Sequence, residues 1–182
     1  MYSSVQIMDR LDDPASTGAM TNHDTWTRGL TLASAVGAGL SAGVFFGFST
    51  FVMRALGTLP ARQGLSAMQA INKAAPNPLF MVVLFGTAAT GTAAAVLSVR
   101  HLDEPGAVWT VVGAGAYLAA IAITAGYHVP HNDALALVAP DGAAAAGAWQ
   151  AYRAPWTLWN HVRTLTSGAA AVCFTVAARA AT

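Results

Sequence analysis

The sequence predicts an all-α integral membrane protein, a four-helix bundle with short interfacial helices in its first and third loops, and three observations predict it. Of its 182 residues, 55% are hydrophobic and only 9% are charged, against about 25% charged in soluble domains. Stretches free of Asp, Glu, Lys and Arg cover 29–53, 74–99 and 105–132, each longer than the ~20 residues that carry a helix across a bilayer. A fourth apolar run, 162–182, is interrupted only by Arg163 and Arg179.

Taken in order, residues 1–26 read as a disordered polar tail. Asp9, Arg10, Asp12, Asp13 and Asp24 stand there without an apolar core, unlike a signal peptide, and Met20 offers a second start. Residues 27–182 then form one membrane domain. Its first helix is predicted over 28–53, where Gly39, Gly43 and Gly47 recur every four residues. Such a stripe lets a neighbouring helix approach closely, within the chain or in a homo-oligomer.

In the first loop, Leu65, Met68 and Ile71 fall at three-residue spacing, which predicts an interfacial amphipathic helix over 62–74. Pro76-Asn77-Pro78 ends it and starts the second membrane helix, 79–99, with Asn77 placed to cap. A polar loop, 100–104, leads to the third helix, 107–127. A second interfacial piece is predicted over 141–153 and the last helix over 161–180. Trp26 and Trp109 mark one aromatic belt, and Trp149, Trp156 and Trp159 the opposite one.

The formal net charge of +1, spread over the chain, leaves no basic patch for nucleic acid. The single Cys173 has no partner within the chain for a disulfide. Chemistry is instead concentrated in 126–164, where His128, His131, Asn132, Asp133, Asn160, His161 and Arg163 interrupt a background of Ala, Gly, Val and Leu. Four alternating helices put the first and third loops on one side of the membrane, so Asn72 and Asn77 converge on these residues. A mouth of this kind is where a pocket forms.

The motifs His128-Val-Pro-His-Asn-Asp-Ala-Leu and Trp156-Thr-Leu-Trp-Asn-His-Val-Arg163, with Ala70-Ile-Asn-Lys-Ala-Ala-Pro-Asn-Pro78, resemble the anthrone oxygenase-like family of small four-helix membrane proteins, also known as domain of unknown function 1772. The resemblance covers about residues 28–180. It implies oxidation of an anthrone-like aromatic of polyketide type by dioxygen, in the cell membrane. The family's usual pattern has Asn before Val-Pro and Leu after it, where this chain has His128 and His131.

Elementary chemistry agrees with that expectation. An anthrone CH₂ is acidic, and its anion reacts with O₂ without an organic cofactor, so the protein need supply only a base and hydrogen-bond donors. A neutral histidine suits the first role, and Arg163 or an Asn amide the second. The expected catalytic set is His161, His128, Arg163 and Asn160, with Asn72, Asn77, Asn132, Tyr127 and Trp159 around the substrate. Two other readings compete: a metal-dependent oxygenase in which His128, His131 and His161 bind Fe or Cu, and a non-enzymatic membrane scaffold or partner subunit. Pro130 is expected to break the helix and keep His128 and His131 from acting as an i,i+3 pair.

Overall fold

A computed structural model describes residues 22–180. The helices are α1 (Asn22–Gly47), α2 (Met53–Thr58), α3 (Ala61–Ala74), α4 (Pro78–Ser98), α5 (Ala107–Ile123), α6 (Val129–Ala136) and α7 (Ala145–Ala180). Two π-helical turns, Phe48–Val52 and Thr124–His128, join α1 to α2 and α5 to α6. No strand occurs among the described residues.

The four long helices close a ring in which α1 packs on α4 and α7, and α5 on the same two. Neighbours run antiparallel: Ser34 and Gly37 of α1 meet Thr90 and Thr87 of α4 in reverse order, and Gly113 of α5 and Thr124 just after it meet Phe174 and Arg163 of α7. Three helical stretches, Thr25–Thr58, Pro78–Ser98 and Ala107–Ala136, are long and apolar enough to cross a membrane. Their outward faces carry exposed Val36, Leu40, Val82, Phe85 and Val112, surface that suits lipid rather than water.

The half of the bundle next to the 99–106 connection is closed. Ala38, Ala114 and Ala170 are buried around Phe174 and Tyr117, and small side chains bring the helix axes together. Gly37 is the tightest point, because a Cβ there would collide with the Thr87 hydroxyl. Hydroxyls inside this half are paired: Ser34 with Thr90 at 2.9 Å, and Ser41 with Tyr117 at 2.8 Å. The left-handed φ of 90° at Gly106 turns the chain into α5, a conformation that glycine adopts without steric cost.

The other half is propped open by α3. Leu65 and Met68 are fully buried against Trp149, Tyr152, Trp156 and Leu135, as the amphipathic spacing requires. Gln69 ties α3 to the end of α6 by donating to the Leu135 and Val138 carbonyls, both at 2.9 Å. Asn77 caps α4, accepting from the Phe80 amide at 3.0 Å, with Pro78 in the first turn.

Several expectations are corrected. The first helix begins at Asn22, so only 1–21 of the expected tail lies outside the described residues. Pro130 does not break the third helix. It falls in the first turn of α6, and the wider turn before it, in which Val129 donates to the Thr124 carbonyl, accommodates the missing donor. The expected separate helices 141–153 and 161–180 are one helix, α7, with Pro155 inside it. Trp149 and Trp156 are buried core rather than belt, leaving Trp159 exposed at that end. Gly39 and Gly43 face outward with nothing within 4 Å, so the close approach inside the bundle falls to Gly37.

Gly37→Ala is therefore expected to destabilise the bundle by about 1–3 kcal/mol through overpacking against Thr87, whereas Gly39→Ala leaves it unchanged. Thermal unfolding of both variants in detergent checks the contrast.

Candidate active site

Where α3 holds the bundle apart, a cavity of about 810 Å³ lies between α1, α3, the start of α4, the second π-turn, α6 and α7. That size falls within the range of small-molecule sites, about 300–1,000 Å³. Its walls are mainly apolar, from Phe45, Phe48, Met68, Phe80, Leu84 and Trp156. Its polar lining comes from Thr124, His128, Asn132, Arg163 and the exposed Asp133 on one side and from Gln69, Asn72, Lys73 and Asn77 on the α3–α4 side.

Arg163 is 7% exposed and has no carboxylate at ion-pair distance among the described residues. Neutral groups hold it instead. One terminal nitrogen donates to Asn160 Oδ1 at 2.5 Å and the other to Thr124 Oγ1 at 3.2 Å. The guanidinium carbon lies 4.2 Å from the Phe45 ring centroid and 5.7 Å from that of Trp156. Nε is buried without a partner. A charge removed from water in this way costs several kcal/mol unless an anion compensates it.

Asn160 is the clamp that aims this charge. Its amide nitrogen donates to the Phe45 carbonyl and the Ser49 hydroxyl, both at 2.7 Å, leaving its oxygen for Arg163. Every polar atom of this fully buried side chain is thus engaged by the end of α1, the first π-turn and Arg163. Asn160 positions rather than lines the cavity.

His128 is 1% exposed, and both ring nitrogens are buried without a hydrogen-bond partner. Its ring lies 4.9 Å from Trp156 and 5.4 Å from Tyr127, centroid to centroid. Buried polar atoms are nearly always satisfied, so an orphaned imidazole on a cavity wall is available to something bound there. Asn132 is oriented by two donors, Tyr152 Oη at 2.7 Å and Trp156 Nε1 at 2.9 Å, both onto Oδ1. Its NH₂ is left for the cavity. Burial pushes the Tyr152 hydroxyl up from its ordinary titration range, so it stays protonated as a donor. Asn72 also lines the cavity, with Nδ2 buried and unpartnered.

The remaining expected residues do not join this group. Asn77 is on the rim, its side chain spent on capping α4 and on the Ala74 and Ala75 carbonyls. His161 is exposed in a different groove, since it stands about 100° further round α7 than Asn160. Tyr127 stacks on His131 with centroids 3.9 Å apart and touches Trp159 at 5.2 Å, outside the cavity lining. His131 Nδ1 bonds to the Tyr127 carbonyl at 2.7 Å. Among the described residues no three His, Cys, Asp or Glu side chains are grouped to hold a metal, so His128, His131 and His161 do not assemble as a ligand set.

Thr124, Ser49, Tyr152 and the Phe45 carbonyl were not foreseen. Nothing in their spacing marks them, because they act through tertiary contacts across two to four helices.

No curated protein and no solved structure matches the chain. A family model for anthrone oxygenase matches residues 80–173, from the first turn of α4 to Cys173 in α7. That span holds the second π-turn, α6 and both polar motifs, so the segment that builds His128, Asn132, Asn160 and Arg163 is the segment the family shares, and the chain belongs to the anthrone oxygenase family.

Proposed function

We propose that this protein is a multi-pass enzyme of the cell membrane that oxidises an electron-rich, anthrone-like aromatic with dioxygen. Family membership supports an oxygenase-type function in general. The reading of substrate and mechanism rests above all on one observation: a buried guanidinium with no carboxylate at ion-pair distance among the described residues, beside an orphaned imidazole, in a mostly apolar cavity. Such a site is short of one anion.

In the proposed reaction, one nitrogen of His128 removes a proton from the activated CH₂. The negative charge moves onto the substrate's carbonyl oxygen, where Arg163 and the Asn132 amide stabilise it as it develops. The carbanion carbon forms a bond to O₂, giving a peroxide anion that takes the proton back from the imidazolium. Loss of the second hydrogen on that carbon breaks the O–O bond and releases water. One O₂ is consumed per substrate, one oxygen atom entering the new carbonyl and the other leaving as water. No organic cofactor takes part in this scheme.

His128→Leu is expected to lower turnover by about 10²–10⁴-fold while leaving the melting temperature the same or higher, because two unsatisfied buried nitrogens disappear. The loss should shrink at alkaline pH, where hydroxide ionises the substrate unaided. Arg163→Lys should cost about 10²-fold, since an ammonium cannot bridge Asn160 and Thr124 while facing the cavity. Dioxygen uptake by purified enzyme with anthrone, alongside metal analysis, tests the scheme. Stoichiometric iron or copper, with activity lost on chelation and restored by the metal, would overturn it.

A further inference from the structure

On the other flank of α7 lies a second, shallower cavity of about 470 Å³ between α7 and the α1–α2 junction. Arg54, Arg153 and His161 all line it, joined by Thr50, Gln150 and Thr157, and among the described residues its lining contains no Asp or Glu. Neither arginine has an ion-pair partner among the described residues. Arg153 is held with its guanidinium 5.8 Å from the Trp149 ring, and its Nε is buried without a hydrogen-bond partner. Arg153, Thr157 and His161 recur every four residues and so form one stripe along α7.

The level of this groove relative to the apolar surface decides what fits it. Arg54 is the first charge after the charge-free run 29–53, and His161 stands next to the apolar run beginning at 162. Leu158 lines the groove at 62% exposure, and Phe51, one turn before Arg54, is 63% exposed. Cationic and hydrogen-bonding groups thus adjoin bare apolar surface, the pattern that accepts a phosphate with acyl chains attached. We propose that this groove binds the headgroup phosphate of an anionic phospholipid, with the acyl chains against Leu158 and Phe51.

This site is separate from the catalytic proposal but touches its scaffold. Ser49 lines the groove and also accepts the Asn160 amide that aims Arg163. A lipid seated there would press on the α1–α7 junction that holds the guanidinium in place.

Native mass spectrometry of the detergent-solubilised protein tests the proposal, with dioleoyl phosphatidylglycerol as probe and dioleoyl phosphatidylcholine and inorganic phosphate as separate arms. The expected result is one phosphatidylglycerol bound with roughly 20-fold preference over phosphatidylcholine, as two basic groups near a lipid phosphate supply. Arg54→Gln/Arg153→Gln should abolish that preference, while Arg28→Gln/Arg100→Gln, which removes the same charge elsewhere, should keep it. If the first pair fails to fold, Arg54→Gln/His161→Gln retains the Arg153–Trp149 contact and should still reduce the preference by about fivefold or more. Equal binding of the two lipids, or a preference surviving in the groove variants, overturns the proposal. Displacement of the lipid by inorganic phosphate at equal concentration also overturns it, by making this a site for free phosphate.

Discussion

The constraint on which the rest of this structure depends is the burial of Arg163 without a countercharge among the described residues. A guanidinium in a helical bundle must be solvated by something, and here the solvent is a set of neutral dipoles and ring faces: Asn160, Thr124, Phe45 and Trp156. They come from three places, Asn160 and Trp156 being on α7 itself. Thr124 is in the second π-turn, Phe45 is just before the first, and Asn160 bridges α7 to the Phe45 carbonyl and Ser49. Holding the charge therefore fixes the relative placement of α1, α5 and α7 at the open end. The cost of burying it is offset only in part, and a bound anion would offset the rest.

Much of the fold was legible because its causes are local. Charge-free length marks the membrane helices, period-three apolar spacing marks α3, and Asn77-Pro78 marks the start of α4, all properties of contiguous residues. Two of the misread helix boundaries fall at prolines. Pro130 is tolerated after a π-turn that widens the helix, and Pro155 is exposed while Tyr152 and Trp156 beside it are anchored in the core. Convergence of Asn72, Asn132, His128 and Arg163 on one cavity also follows from alternating helix direction. The separation of His161 from His128 does not. It depends on the azimuth of α7, which Asn160 sets by docking on the last turn of α1, a contact between residues 115 positions apart.

The donors around the cavity are fixed before anything binds. Asn132 cannot rotate its amide without losing bonds from both Tyr152 and Trp156, and Arg163 cannot swing without losing Asn160 and Thr124. Preorganised dipoles cost no reorganisation when charge develops on a substrate, which is where most electrostatic catalysis originates. The orphaned nitrogens of His128 are the other side of the same arrangement. On the proposed function, stability would be given up at the position where a proton must move.

The rim of the large cavity governs how a ligand concentration must be counted. Val44 and Val129 are well exposed on it, beside Lys73, Asn77 and Asp133, so in the membrane enzyme proposed above the entrance would meet acyl chains and headgroups together. A flat aromatic compound dissolves in such a bilayer before it reaches the protein. The quantity that fills the cavity is then its mole fraction in lipid, not its molarity in buffer. Extra lipid thins the substrate out across a larger two-dimensional phase, and half-saturation expressed per litre drifts upward with it, although nothing in the site has changed.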